Sequence, residues 1–226
     1  MKPILFNTEA VRAMLEDRKT QTRRLVKLKY SNTHLEMFAN KYGTRLIEKQ
    51  NEEPGVTTVK NSDGTTTHTL LAYIEKTPPY RPGDILYVRE AFFEHRNHFY
   101  YKADGKHEGL SMLGIIFKWR PSIHMPRKAA RIFLRVTDVR VERLQEITEV
   151  DAEKEGLRYY DDICRDENWH PMFYDPDSGG DPSTVAGFAK LWSSTIKPTD
   201  LALYGWEANP WVWVIEFERI NKEVCS

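Results

Sequence analysis

The chain has 226 residues, 40% of them hydrophobic and 29% charged, with 33 basic side chains against 33 acidic ones. That size supports a buried core in one enlarged domain or two small ones, and the zero net charge excludes a global field drawing the chain to nucleic acid or membrane. The two cysteines, Cys164 and Cys225, build neither a disulfide framework nor a zinc-ligand spacing, so no metal and no cofactor is expected. The start lacks the apolar run of a secretory leader, and no stretch nears the ~18 apolar residues of a membrane span, so the expected location is cytoplasmic.

In chain order, residues 8–18 are predicted to be a helix, with Glu9 in the first turn and Val11, Met14 and Leu15 on one apolar stripe. Residues 28–75 are polar and carry turn signals at 51–55 and 61–64. The runs 56–59 and 67–71 flank the second signal and predict a β-hairpin on an excursion from the domain. Pro82 and Gly83 mark a turn, followed by a strand over 85–93 with 99–103 as its partner. Over 131–141, Ile132, Leu134 and Val136 fall at alternate positions with arginines such as Arg131 and Arg135 between them, as a strand with one wet face requires. Thr148 and Asp151 form a capping box opening a short helix that stops at Gly156. Residues 157–182 form an acidic loop. A helix follows over 183–196, with Val185, Phe188, Ala189, Leu191 and Trp192 inward, and a closing strand over 211–220 places Trp211 and Trp213 at core spacing. Strands dominate and no βαβ alternation occurs. The expected fold class is α+β: one domain over 1–226 with a small barrel or curled sheet, enlarged by insertions at about 28–75 and 157–182.

Charge is unevenly spread. Residues 17–29 hold six basic side chains against Asp17, and residues 118–143 hold eight against Asp138 and Glu142. Residues 146–181 hold twelve acids against three basic side chains. Two basic segments and one acidic segment are compatible with a local anion-binding face, and equally with solvated mixed charge.

The densest chemistry lies at Arg18-Lys19-Thr20-Gln21-Thr22-Arg23-Arg24. A lysine, hydroxyls and fixed cations together suit activation of a nucleophile and stabilisation of an anion or polarised carbonyl. A basic helix end facing solvent has the same composition. A threonine hydroxyl attacks only once a neighbour takes its proton. A lysine does that when desolvation or nearby cations depress its pKa.

Four passages together carry a family resemblance: residues 18–24; Arg81-Pro82-Gly83-Asp84-Ile85-Leu86-Tyr87-Val88-Arg89-Glu90; Trp119-Arg120-Pro121-Ser122-Ile123-His124-Met125-Pro126-Arg127; and Trp206-Glu207-Ala208-Asn209-Pro210-Trp211-Val212-Trp213. On these the chain resembles the ASCH-domain proteins of the PUA-like superfamily, in particular those common in phages and prophages. The resemblance implies a PUA-like small β-barrel flanked by short helices. The family motif G-x-K-x-x-E-x-R falls on Asp17, Lys19, Thr22 and Arg24, so two of its four positions depart. Threonine in place of the glutamate is similar to the members that act as amidohydrolases on N4-acetylcytidine through a lysine, a threonine and a glutamate.

The glutamate of that set corresponds here to Glu155, so the resemblance implies Lys19, Thr22 and Glu155 as catalytic residues. Glu155 would orient the lysine, shuttle a proton or bind a base edge. Asp17 in place of glycine leaves the backbone shape of the turn open. The implied cleft lies between 19–24, 148–156 and the strand after Asp84. Thr20, Arg23, Arg24, Tyr87, Arg89, Glu90 and Arg127 are its expected substrate- or anion-binding residues. The implied substrate is a modified, N-acylated nucleoside or nucleotide, with RNA a further candidate partner, no membrane partner and a monomer favoured. A non-catalytic RNA- or modified-base-binding module and a nuclease using the same basic cleft are the alternatives.

Overall fold

The alternating segment predicted over 131–141 becomes the centre of a five-stranded sheet in the computed structural model, which describes residues 1–30, 33–41, 43–50, 57–60, 66–69, 74–105, 118–157 and 183–221. Contacts divide the chain into two compact units, Met1–Arg24 with Tyr80–Ser226, and Leu25–Pro79. The excursion expected at 28–75 falls within the second. The acidic loop expected at 157–182 lies, from 158 on, outside the described residues, as do Cys164 and Cys225.

In chain order the first unit opens with β1 (Lys2–Leu5), α1 (Thr8–Leu15) and β2 (Gln21–Leu25). Within the second lie β3 (Thr33–Asn40), β4 (Gly43–Gln50), β5 (Thr57–Lys60), β6 (Thr66–Thr69) and β7 (Ile74–Glu75). The first unit resumes with β8 (Ile85–Arg89), β9 (Phe92–His95), β10 (His98–Tyr101) and β11 (Phe133–Arg143). It closes with α2 (Glu149–Lys154), α3 (Thr184–Thr195), α4 (Leu201–Tyr204) and β12 (Trp211–Ile220). The fold is α+β, mostly sheet with short helices. No helix among the described residues is long and apolar enough to cross a membrane.

The main sheet runs β1-β8-β11-β12-β2. β1 lies parallel to β8, and β11 is antiparallel to both β8 and β12, with a register shift between Val136 and Asp138. One face packs Ile4, Leu86, Val88, Leu134, Ile215 and Phe217 against Val11 and Met14 of α1. Burying such side chains contributes about 1.5–3 kcal/mol each. Among the described residues the ladder is open, with β1 and β2 at its ends. A side chain bridges those ends: Arg24 of β2 donates through Nη2 to the Leu5 carbonyl of β1 at 2.7 Å.

Three sequence expectations shift. The strand read over 85–93 is two strands. β8 stays in the main sheet, while β9 leaves it to pair with β10 as a separate ribbon. On β12, Val212, Val214 and Ile215 are fully buried, whereas Trp211 and Trp213 are half-buried, with Trp213 at the rim of the core. On α3 the buried face is Thr184, Gly187, Phe188 and Trp192, so the apolar stripe is rotated from the one expected.

In the second unit, β3 and β4 pair antiparallel from Thr33↔Gln50 to Asn40↔Gly43, and β7 adds to β4. β5 and β6 form the expected hairpin. The Glu48 carboxylate is buried and accepts from the Lys29 and Tyr30 amides at 2.8 and 2.9 Å, from the Thr33 hydroxyl and from Lys76. Burial alone would raise this acid. The hydrogen bonds from Lys76, Thr33 and the two amides outweigh it and hold the carboxyl at about 2.

Candidate functional site

Three local devices place Lys19. Asn7 caps α1 by accepting from the Ala10 amide at 2.8 Å. The helix then stops at Asp17, whose φ of +56° is left-handed. The position at which the family motif carries glycine therefore has the backbone shape glycine favours, reached here by an aspartate, one of the residues that tolerates it. The Ala13 carbonyl accepts from both the Arg18 and Lys19 amides, at 2.8 and 3.1 Å. Beyond it, Thr20 donates to the Lys154 carbonyl of α2 and accepts from the Phe217 amide of β12, each at 2.9 Å. The loop is thus pinned to both helices and to the sheet.

Glu155 reaches the same point from α2. Thr148 and Asp151 form the expected capping box, and Glu155 is the C-cap. Gly156 follows with a φ of +99°, and a Cβ on it would stand 2.8 Å from Ala13 Cβ and 3.2 Å from Lys19 Cβ. Glycine is required there both for the left-handed turn and for the close approach of the two segments.

The result is a buried ion pair. Lys19 Nζ donates to Glu155 Oε2 at 2.6 Å and to the Glu155 backbone carbonyl at 2.7 Å. The side chains are 5% and 6% exposed. Burial lowers the lysine's pKa. Glu155 pulls it back up, and the Arg24 and Arg23 charges add to the lowering. The ammonium stands 5.8 Å from the Phe6 ring centroid.

Arg23 approaches Glu155 from β2, with Nη1 3.3 Å from Oε1. Its side chain is fully buried, and Nη2 meets Glu142 at 2.6 Å and Asp151 at 3.6 Å. Gln21, also fully buried, fits with its amide nitrogen 3.3 Å from both Glu216 and Asp151 and its oxygen 2.7 Å from Arg23 Nη1. The Phe188 ring of α3 lies 5.7 Å beneath the guanidinium. An arginine expected to bind a substrate anion is instead enclosed by internal carboxylates.

Strand alternation puts Thr22 and Arg24 on the opposite face of β2 from Arg23. Thr22 is 5% exposed, and among the described residues no hydrogen bond joins its hydroxyl to Lys19 or Glu155. Arg24 is half-buried. Its guanidinium stands 5.0 Å from the Phe6 centroid, and burial lowers its pKa against the opposing pull of Tyr80 and Glu155. Thr20 is exposed.

None of the described hydrogen bonds of the remaining candidates reaches Lys19, Thr22 or Glu155; the Arg89 carbonyl accepts from the Phe6 amide at 3.2 Å. Tyr87 packs against the small cluster of Phe92, Met125, Ala129 and Phe133. Glu90, 1% exposed, accepts a two-point bond from Arg131 at 2.9 and 3.0 Å. Burial raises its carboxyl, with Arg131 opposing. Arg131 also pairs with Asp104 at 2.7 Å and lies 3.9 Å over the Tyr101 ring. Arg89 donates to the Ile123 carbonyl, and exposed Arg127 meets Met1 Sδ at 3.3 Å. The structure therefore unites Lys19, Glu155 and Arg23, with Arg24 beside them, and no described hydrogen bond links Tyr87, Arg89, Glu90 or Arg127 to that group.

Several site residues escaped the sequence reading. Tyr80, in the Pro-Pro-Tyr-Arg-Pro-Gly turn, donates to the Pro3 carbonyl at 2.8 Å. Burial raises its phenol, while the Arg24 charge opposes. Phe6, Glu142 and Asp151 complete the surroundings. Asp151 is marked only as a capping-box residue, and no local motif marks the contacts of the others with the site, because these join residues distant in sequence. Lys19 and Thr20 also border a cavity of about 530 Å³, together with Met14, Arg131, Phe217 and Arg219. That is within the range of small-molecule sites. Among the described residues no group of three or more histidines, cysteines or carboxylates is placed to hold a metal ion.

Comparison of the chain with protein-family models, with curated proteins and with solved structures finds no match.

Proposed function

We propose that the protein is an ASCH-like, PUA-like domain that hydrolyses the amide of an N-acylated nucleoside or nucleotide through Lys19, Glu155 and Thr22. The observation that carries this reading is the buried Lys19–Glu155 pair, whose lysine is biased toward its neutral, basic form. An ordinary surface lysine holds its proton firmly; desolvation weakens that hold and suits the amine to act as a base. The cavity that Lys19 borders has the volume for a nucleoside, and Thr22, Arg24 and Glu155 lie outside its lining.

The reaction consumes one water and yields a carboxylic acid and the free amine of the base. In the first route, Lys19 takes the Thr22 hydroxyl proton, and the oxygen attacks the amide carbon. The carbonyl oxygen becomes an oxyanion, for which Arg24 is the nearby cation. Lys19 returns the proton to the departing nitrogen, and water then releases the acyl group from Thr22. In the second route, Lys19 activates water directly and Thr22 is not covalently involved. The missing Thr22–Lys19 bond makes this second route the simpler one for the present geometry.

The test is a panel of acylated cytidines and adenosines assayed for release of the acid. Lys19→Ala should lose on the order of a hundredfold or more in kcat. If Thr22 is the nucleophile, Thr22→Ala should match that loss and the double variant should add little, because residues acting as a unit are non-additive. A Thr22→Ala protein at near wild-type rate would assign the water route. No hydrolysis of any member would remove the enzyme reading.

A second reading has its own support. Arg120, Arg127 and Lys128 are exposed in the basic segment 118–143, the pattern of a surface that contacts nucleic-acid phosphates. RNA binding that weakens steeply with salt and is lost in the Arg120, Arg127 and Lys128 alanine variant, without hydrolysis, would favour a binding module.

A further inference from the structure

Arg23 is the most enclosed cation of the site, and its contacts divide the Glu155 carboxylate. Oε2 belongs to Lys19 at 2.6 Å and Oε1 faces Arg23 at 3.3 Å. Arg23 is itself held. Nη2 meets Glu142 of β11 at 2.6 Å and Asp151 of α2 at 3.6 Å, and Nη1 meets the Gln21 oxygen. Those acids are anchored in turn by Arg140 of β11, at 3.1 Å from Glu142 and 3.5 Å from Asp151, while Glu216 of β12 takes a third Arg140 donor at 2.6 Å. On α3, Phe188 presents a ring and no charge. With its side chain fully buried, Arg23 has no route to a substrate anion.

We propose that Arg23 is a positioning residue: by holding Oε1 of Glu155 it fixes the carboxylate so that Oε2 alone faces Lys19, and it neutralises part of the charge that would otherwise keep the lysine's proton in place. The inference rests on the proposed role of Lys19 as a base. A carboxylate with an undivided charge stabilises the ammonium and suppresses the base. One already shared with a guanidinium orients the amine with a weaker hold on its proton. Glu142 and Asp151 set how much of the Arg23 charge remains for Glu155. The arrangement is thus a relay from β11 through β2 to α2, ending at the lysine.

The test reads Lys19 directly. In full-length protein labelled with 13C at lysine Cε, the Lys19 resonance, assigned by its loss in Lys19→Arg, is followed against pH by NMR. Arg23→Gln should raise the Lys19 midpoint by about one pH unit, since an opposite or like charge at this range moves a pKa by one or more. Arg23→Lys, which keeps the charge, should restore most of the wild-type value. Glu142→Gln should move the midpoint down, because it removes a negative charge and frees Arg23 for Glu155. An unchanged or lowered midpoint in Arg23→Gln overturns the proposal, since loss of fold support alone would release Glu155 and lower the lysine further. Should Arg23→Gln fail to fold, Glu142→Gln decides: a downward shift supports the role and no shift overturns it. Hydrolysis of the acylated nucleosides is assayed in parallel. Midpoints that move without any hydrolysis retire the reaction and leave the relay; hydrolysis with unmoved midpoints retires the relay alone.

Discussion

Gly156 stands so close to Ala13 that a Cβ built on it would lie 2.8 Å from the alanine's own. This approach, between the turn after α2 and the body of α1, is what lets the Glu155 carboxylate and carbonyl converge on Lys19. Gly156→Ala meets both the Ala13 and Lys19 side-chain carbons and a φ of +99° that L side chains rarely adopt. The expected loss is about 2–4 kcal/mol by denaturant unfolding. In Ala13→Gly/Gly156→Ala the contact is relieved and the backbone strain remains, so part of the loss should return. A Gly156→Ala protein of wild-type stability would show that the two segments are not held this tightly.

The buried lysine predicts a stability trend with alkaline pH. Its folded pKa lies below the ordinary 10.5 because burial disfavours the ammonium. Below the folded value both states carry the proton and the cost of burying it is present in full. Between that value and 10.5 the unfolded chain binds the extra proton, so stability rises with pH. Relative to Lys19→Met, the wild type should therefore gain stability as pH climbs from neutral toward 10. A constant difference between the two proteins over that window would contradict the burial effect.

Glu48 predicts the opposite limb in the second unit. Its carboxyl falls from an ordinary 4.5 to about 2 in the folded chain. The stability this confers is complete above the unfolded value and disappears as pH falls through the folded one; the drop is worth on the order of 3 kcal/mol. Hydrogen exchange at the Lys29 and Tyr30 amides, both donors to Glu48, should accelerate between pH 4.5 and 2 beyond the intrinsic trend. In Glu48→Gln the acid-dependent part should vanish and exchange should be fast throughout.

Asp17 adopts a φ of +56° and pairs with Arg219 at 3.2 Å in an exposed position. Asp17→Gly removes the strain and a weak surface ion pair together, and should stabilise by roughly 0.5 kcal/mol. Asp17→Val, a branched side chain in the left-handed region, should cost about 1–2 kcal/mol. Equal thermal midpoints for the two variants would refute the strain argument.

What the sequence made legible was local. The Thr148 capping box, the Gly156 stop and the Gly83 turn are each written within a few adjacent residues, and each is present; the strand expected over 131–141 runs from Phe133 to Arg143, with Phe133 as well as Leu134 buried rather than on a wet face. Lys19 and Glu155 were paired through a motif resemblance, and their contact spans 136 positions that no spacing rule covers. Burial was not legible. Arg23 in a run of cations reads as a surface residue until Glu142 and Asp151 are folded around it. Tyr87 packs against a separate cluster because β8 presents alternate side chains to opposite faces of the sheet, whereas Glu90 lies just past the end of that strand beside Arg131 and Met125. β3 and β4 went unread because Thr33–Asn40 and Gly43–Gln50 mix polar and apolar residues without a clean period.

The second unit leaves the first after Arg24 and returns at Tyr80, and Arg24 acts on the Tyr80 phenol across that junction. Lys19, Thr22, Arg23, Glu155 and their described partners all belong to the first unit, so no catalytic candidate is borrowed from 25–79. The junction works as a port at which material can be added or exchanged with small entropic penalty, since the flanking ends are already held near each other. Variation in length and sequence among natural versions of this chain should concentrate there, leaving the Lys19–Glu155 pair intact while the second unit diverges.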